Sequence, residues 1–212
     1  MLHEKFERLD SEKQSKIIQA ALEEFSAFDF EHASTNRIVK NAGIGKGMLF
    51  YYFNSKKDLY TYLMHYCLDR IYSQMVAQLQ TAIQESKGDF IERYYITARL
   101  KAEYMAKEPH VFNFMSSLIL QDFLSLPTEI QQKMQTLQQQ AYDLLYKDID
   151  LSLFKDDIDS EKALNLVRWS LDGYQQELEH QLKGEQISSI NLKNYWDEFY
   201  EYLDLLKKVY YQ

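Results

Sequence analysis

The sequence predicts an all-α protein. Three observations carry this reading. Only two prolines and six glycines interrupt 212 residues. The long segments between them repeat apolar residues every three or four positions, the period of a helix with one buried face. No stretch alternates apolar and polar residues with the period of two that marks a strand. A chain of this length buries a sizeable core, in one large or two modest domains. The pattern divides into a small head at 1–54 and a larger helical domain at 55–212, about nine helices in all.

The first helix is expected at about 11–28, with Ser11 and Gln14 as a capping box. Ile17, Ile18, Ala21, Leu22 and Phe25 form its buried face. Two short helices follow at 35–42 and 46–52. Ser55 caps a long helix with the apolar series Leu59, Leu63, Cys67, Ile71, Met75, Leu79 and Ile83, and Ser86-Lys87-Gly88 ends it. A fifth helix spans about 89–107. Pro109 starts the sixth, and Pro127 opens a seventh that runs to about 147. Six glutamines between Gln131 and Gln140 give that helix a solvated face. The acidic stretch from Lys147 to Asp159 reads as a loop. The last two helices are expected at about 160–183 and 191–210. One bears Leu164, Val167, Leu171, Tyr174 and Leu178, the other Leu192, Tyr195, Phe199, Tyr202, Leu206 and Val209. This 3-4 spacing is the seam of a helix pair.

Residues 35–60, TNRIVKNAGIGKGMLFYYFNSKKDLY, carry the chemistry. Gly43 lies where one short helix must end and the next begin, and glycine tolerates the positive φ of such a reversal. Ile38 and Ala42 share a face of the first helix. Leu49, Tyr52 and Phe53 share a face of the second, and Ile44 plugs the gap. Two helices so patterned cross at a steep angle over a small core of their own. Lys46, Gly47, Met48 and Tyr51 are left facing outward.

Charge follows the same division. Between Ala33 and Lys57 there are five basic residues (Arg37, Lys40, Lys46, Lys56 and Lys57) and no acidic one. Residues 1–60 hold nine charges of each sign, whereas the whole chain holds 24 basic against 32 acidic. A basic head on an acidic body points toward a polyanion, and the helix-turn-helix spacing makes duplex DNA the partner. The 46–52 helix would enter the major groove. Thr35 and Asn36 open the preceding helix, whose amides favour an anion.

Residues 11–60 resemble the N-terminal domain of the TetR family of bacterial transcriptional regulators. The matching positions are Ala20-Ala21, Phe25, Thr35, Ile38, Ala42-Gly43-Ile44, Lys46-Gly47, Leu49-Phe50, Tyr52-Phe53, Ser55-Lys56 and Leu59. The rest of the chain fits that family only in length and helical character. The resemblance implies phosphate contacts at Thr35, Lys46, Tyr51 and Lys56, to which charge adds Arg37. Departures from the pattern fall at several points. Asp29 sits where a glycine is usual, which puts an aspartate into a positive-φ position. Val39 replaces an alanine at the helix crossing. Gly45 replaces a capping serine. Met48 replaces a threonine, so contact there would be apolar.

The resemblance also implies a homodimer that reads a palindromic operator. Val167, Leu171, Tyr174, Leu178, Phe199, Tyr202 and Leu206 are expected at its interface, in a four-helix arrangement. It further implies a repressor released by a small effector. That effector would bind the C-terminal domain and shift the long helix that begins at Ser55. Aromatic and methionine side chains there suit an apolar or aromatic ligand, with Tyr66, Tyr104, Phe112, Met115 and Trp169 as expected lining.

A phosphate loop at Gly43-Ile44-Gly45-Lys46-Gly47 lacks the spacing and the preceding strand that such loops need. His65 and Cys67 point to different sides of a helix, and no histidine, cysteine or carboxylate cluster has metal or catalytic spacing. No enzyme activity, metal or cofactor is expected. A helical protein-interaction module is the remaining alternative, and the acid-free stretch argues against it. A single cysteine suits a reducing cytoplasm, near the nucleoid for a DNA-binding protein. MLHEKFERLD lacks the apolar core of a signal peptide, and no run is long and apolar enough to span a membrane.

Overall fold

We describe a computed structural model of the chain, covering residues 3–120, 123–183, 185 and 189–212. The described residues are helical almost throughout. In order they form α1 (Glu4–Glu7), α2 (Ser11–His32), α3 (Thr35–Ala42), α4 (Lys46–Tyr52), α5 (Lys56–Ile71), α6 (Ala77–Glu85), α7 (Phe90–Lys107), α8 (Pro109–Ile119), α9 (Thr128–Tyr146), α10 (Ser160–Leu182) and α11 (Lys193–Tyr210). A π-helical segment, Tyr72–Val76, joins α5 to α6 into the expected long helix. No helix among the described residues is long and apolar enough to cross a membrane.

The chain packs as two compact units. Unit 1 comprises Met1–Arg70, Glu108–Gln131 and Gln186–Ser189; unit 2 comprises Ile71–Lys107, Gln132–Glu185 and Ile190–Gln212. Unit 1 therefore exceeds the 1–54 head of the sequence division, because α2 packs against α8 as well as α3. Its buried side chains include Ile17, Leu22 and Phe25 of α2, Ile38 of α3, Leu49 of α4, Leu63 and Cys67 of α5, and Phe114 of α8. Burial pushes the Cys67 thiol pKa far up, as expected of a cysteine on an apolar face.

Two features of unit 1 were not legible in the pattern. The single turn α1 drives Phe6 into a cage of Tyr52, Phe53 and Tyr62, with ring centroids 4.8–5.8 Å apart. The cap of α2 is Asp10 rather than a Ser11–Gln14 box: its carboxylate accepts from the Lys13 amide at 3.0 Å. Gln14 reaches back instead, donating to the carbonyls of Glu7 and Leu9.

The far end of α2 breaks at Asp29, whose φ is 55° as expected but whose ψ is −177°, outside the left-handed helical region. An aspartate holds this glycine-like conformation through its own carboxylate, which accepts from the His32 amide at 2.9 Å and the His32 ring at 3.0 Å. Burial acts to raise the Asp29 pKa, but the bonds from His32 and the Glu31 amide outweigh it and hold the carboxyl below its ordinary value.

Unit 2 has its own core of Phe90, Ile91, Phe154, Ala163, Val167, Leu171, Leu203 and Tyr211. Arg93 of α7 is buried and closes the C-terminal end of α9. Its guanidinium donates to the carbonyls of Leu145 at 2.8 Å, Lys147 at 2.5 Å and Asp148 at 3.3 Å, and to Ser86 Oγ at 3.0 Å. Helix-end carbonyls that would otherwise lack partners are thereby satisfied. The acidic 147–159 stretch is a shaped connection, with Asp150 and Asp159 as caps. It pairs with the chain's last residues, where Lys155 N donates to Tyr210 O and Gln212 N to Leu153 O.

Gly88 sits at φ 87°, and its carbonyl accepts from Asp150 N at 3.0 Å. A Cβ there would lie 2.8 Å from that same backbone nitrogen. Gly88→Ala should therefore cost more than about 1 kcal/mol, read as a lower urea midpoint. An unchanged midpoint would show that the 148–150 turn yields freely.

Candidate nucleic-acid interface

The turn between α3 and α4 forms as its residues dictate. Gly43 takes φ 68° in the left-handed region and closes α3, its amide and that of Ile44 bonding back to the carbonyls of Lys40 and Val39. Gly45 starts α4 without a side-chain cap. Leu49, Tyr52 and Phe53 are buried, and that fixes the rotation of α4. Lys46, Gly47, Met48, Phe50 and Tyr51 are all left exposed. Four of these five are the expected outward residues; Phe50 is the addition.

The mount for this face is a buried carboxylate. Glu24 on α2 is only 4% exposed. It accepts the Ser34 amide at 2.7 Å, just before α3, and Arg37 Nε at 2.8 and 3.0 Å and Nη2 at 2.6 Å. A bidentate guanidinium and an amide leave the desolvated carboxylate well paired. Bonding to Glu24 raises the Arg37 pKa further above its already high value. The Arg37 guanidinium also stacks over Phe28 at 4.1 Å and donates to the His32 carbonyl.

Arg37, expected as a phosphate contact, also ties α3 to α2. Lys56 likewise has partners within the head. Its ammonium donates to the carbonyls of Glu31 and Ala33, both at 3.1 Å, and lies over the Phe30 ring. Those carbonyls lie at the end of α2, where helical donors run out, and Lys56 satisfies them. The ammonium groups of Lys40, Lys46 and Lys57 have no partner among the described residues. Thr35 is half-buried and Asn36 exposed, both in the first turn of α3. Lys5 of α1 places its ammonium 4.3 Å from the Tyr51 ring centroid, and His3 bonds Asp58 at 3.0 Å. These contacts of the N-terminal turn were invisible to the motif reading.

The other expected sites scatter. Tyr66, Phe112 and Met115 belong to unit 1, and Tyr104 and Trp169 to unit 2. Met115 and Tyr104 are buried, whereas Trp169 is 58% exposed on α10. Val167 and Leu171, expected at a dimer interface, are 0% and 3% exposed because they fill unit 2's own core. Tyr174, Leu178, Phe199 and Leu206 are half-buried, and Tyr202 is exposed. The outward apolar face of α10 and α11 consists instead of Leu166, Trp169, Tyr202, Leu205 and Val209. No group of histidine, cysteine and carboxylate side chains among the described residues has metal-binding geometry.

An all-α chain with a helix-turn-helix head, its second helix exposed, has the geometry of the helical modules that dock in a DNA groove. Residues 17–63 match the model of the family described as bacterial regulatory proteins, tetR family. The transcriptional regulator RutR of Escherichia coli strain K12 is 40% identical over 62 residues, 29% of this chain and 29% of its own length. The chain thus aligns with less than a third of that relative. Likeness of fold extends further. A TetR family transcriptional regulator from Chloroflexus aurantiacus superposes with a TM-score of 0.54 at 22% identity, covering 99% of this chain and 98% of its own. The ketosteroid transcriptional regulator KstR2 of Mycobacterium tuberculosis superposes at 0.58 and 17% identity, covering 97% of each. The fatty acid degradation regulator FadR of Bacillus halodurans does so at 0.51 and 20%, covering 89% of this chain and 96% of its own. Residues 17–63 are thus similar to the DNA-binding domain of that family, and the fold of the chain is similar to that of its solved members.

Removing the mount should differ from removing a contact. Glu24→Ala leaves the Ser34 amide and Arg37 without their acceptor and should cost about 1–3 kcal/mol in thermal or urea unfolding. Lys46→Ala should leave the unfolding midpoint almost unchanged. Equal midpoints for both variants would deny Glu24 its role.

Proposed function

We propose that this protein is a sequence-specific DNA-binding repressor, released from its operator when a small apolar or aromatic effector binds the C-terminal part. The observation that carries the reading is the exposed face of α4. Burial of Leu49, Tyr52 and Phe53 turns Lys46, Gly47, Met48 and Tyr51 outward, on a head with no acidic residue between Ala33 and Lys57. The first turn of a helix so presented reaches base edges in the major groove, while Lys46 and the Tyr51 hydroxyl serve bases or phosphates. Gly45 and Gly47 have open space around them, so the backbone can approach the duplex closely. Thr35 and Asn36 contact the backbone from the start of α3, and Lys40 and Lys57 supplement them.

In this reading residues 1–54 bind DNA and 55–212 serve dimerisation and the effector. One head offers few contacts, so two heads reading a palindrome, with half-sites about 34–36 Å apart, supply affinity and specificity. Leu166, Trp169, Tyr202, Leu205 and Val209 hold the dimer. Their large apolar side chains stand exposed on two neighbouring helices of unit 2, where Tyr174 stacks on Phe199 at 5.4 Å. An effector with a differential affinity of about 1–3 kcal/mol between the two states lowers DNA affinity 5- to 150-fold. Tyr66, Phe112 and Met115, which share unit 1, remain the candidates to contact it. A repressor acting on the bacterial chromosome works in the cytoplasm.

Lys46→Ala should weaken binding to selected operator DNA and flatten the log–log salt dependence by about 0.9 per lost phosphate contact. Binding as tight as the parent's would move the recognition helix elsewhere. For the dimer, Trp169→Glu with Leu205→Glu should give monomers by light scattering, with the helical content of the parent. A mass unchanged from a parental dimer would retire that face.

A further inference from the structure

The outward face of α4 is poor in hydrogen-bonding groups. Its sequence, KGMLFYY, contains no arginine, asparagine or glutamine. With lysine, those are the side chains that read guanine or adenine by hydrogen bonds in the major groove, so Lys46 is the helix's one such reader. The polar ends available are the Lys46 ammonium and the Tyr51 hydroxyl, and the Tyr51 ring is braced by Lys5 at 4.3 Å. Flanking the Gly47–Tyr51 midline are two apolar side chains. Met48 is 45% and Phe50 40% exposed. Core packing does not demand them there, since Leu49 and Tyr52 supply the buried contacts of this helix. Covering the exposed parts of a methionine and a phenylalanine with a partner's apolar groups is favourable.

The major groove offers one apolar feature, the C5-methyl group of thymine. We infer that Met48 and Phe50 read thymine methyls, so that the operator half-site is recognised at thymines by apolar contact more than by hydrogen bonding. The inference rests on the DNA-binding reading above and specifies what that site selects. Gly47 lies between the two side chains in the outward direction and has no Cβ to hold the helix away from the bases. Met48 adapts its unbranched side chain to the groove, whereas Phe50 presents a rigid ring edge. The two positions lie on opposite flanks of the midline, which places their contacts on different base pairs.

The test uses the full-length protein and a duplex obtained by selection from random DNA. Each thymine in a half-site is replaced in turn by uracil, which keeps every hydrogen-bonding group and removes only the methyl. Binding is measured for the parent, Met48→Ala and Phe50→Ala across a salt series. At one or more positions per half-site, uracil should weaken the parent about fourfold, equivalent to about 0.8 kcal/mol for one methyl-sized group. The penalty at a given position should vanish in the variant that lacks the side chain contacting it. Tight, salt-dependent binding with no uracil penalty overturns the inference and leaves the DNA-binding reading intact. A penalty that persists undiminished in both variants also overturns it, because other residues would then read the methyls. Absence of salt-dependent binding to any duplex overturns both readings.

Discussion

The Glu24 carboxylate holds the head together. It is desolvated, and the partners it accepts come from one short stretch: the Ser34 amide and the Arg37 guanidinium. A charge so buried is tolerated only when its lone pairs are filled, so α3 is drawn to one position on α2. Gly43 then sets the direction in which the chain leaves α3, and Leu49 and Tyr52 set the rotation of α4. The presentation of Met48, Phe50 and Tyr51 follows from those constraints in sequence. Lys56 adds to the frame by donating to the carbonyls of Glu31 and Ala33 at the end of α2.

Much of this was legible in the amino-acid order. The boundaries of α3 and α4 follow from Gly43 and from the apolar pairs around it, because both signals are local. Cys67 was placed in the core by its register with Leu63 and Ile71, and it is fully buried. The positive φ of Asp29 was visible as an aspartate in a position suited to glycine. Its ψ was not, because His32 holds it through a bond that no motif encodes.

What escaped was tertiary. Glu24 and Arg37 are thirteen residues apart, a spacing with no meaning on a single helix, so the arginine was counted with the free cations. The two carbonyls that Lys56 holds, those of Glu31 and Ala33, lie more than twenty residues away and leave no local signal. A four-residue turn such as α1 has no periodicity to detect, and Phe6 alone among charged neighbours gives no hint that it is caged by three aromatic rings. The stripe on α10 and α11 failed for a different reason. An apolar face looks the same whether it meets its own unit or another molecule, and only the packing of Val167 and Leu171 against Phe90, Ile91 and Phe154 separates the two.

The anchoring of α1 bears on how the protein can be handled. Phe6 pins the turn beneath α4, and Lys5 sits over the ring of Tyr51. A purification tag fused ahead of His3 would therefore emerge close to α4. A cationic or bulky tag there would alter the exposed face of that helix. At the other end, a tag beyond Gln212 would need to leave room for the pairing of Gln212 with Leu153.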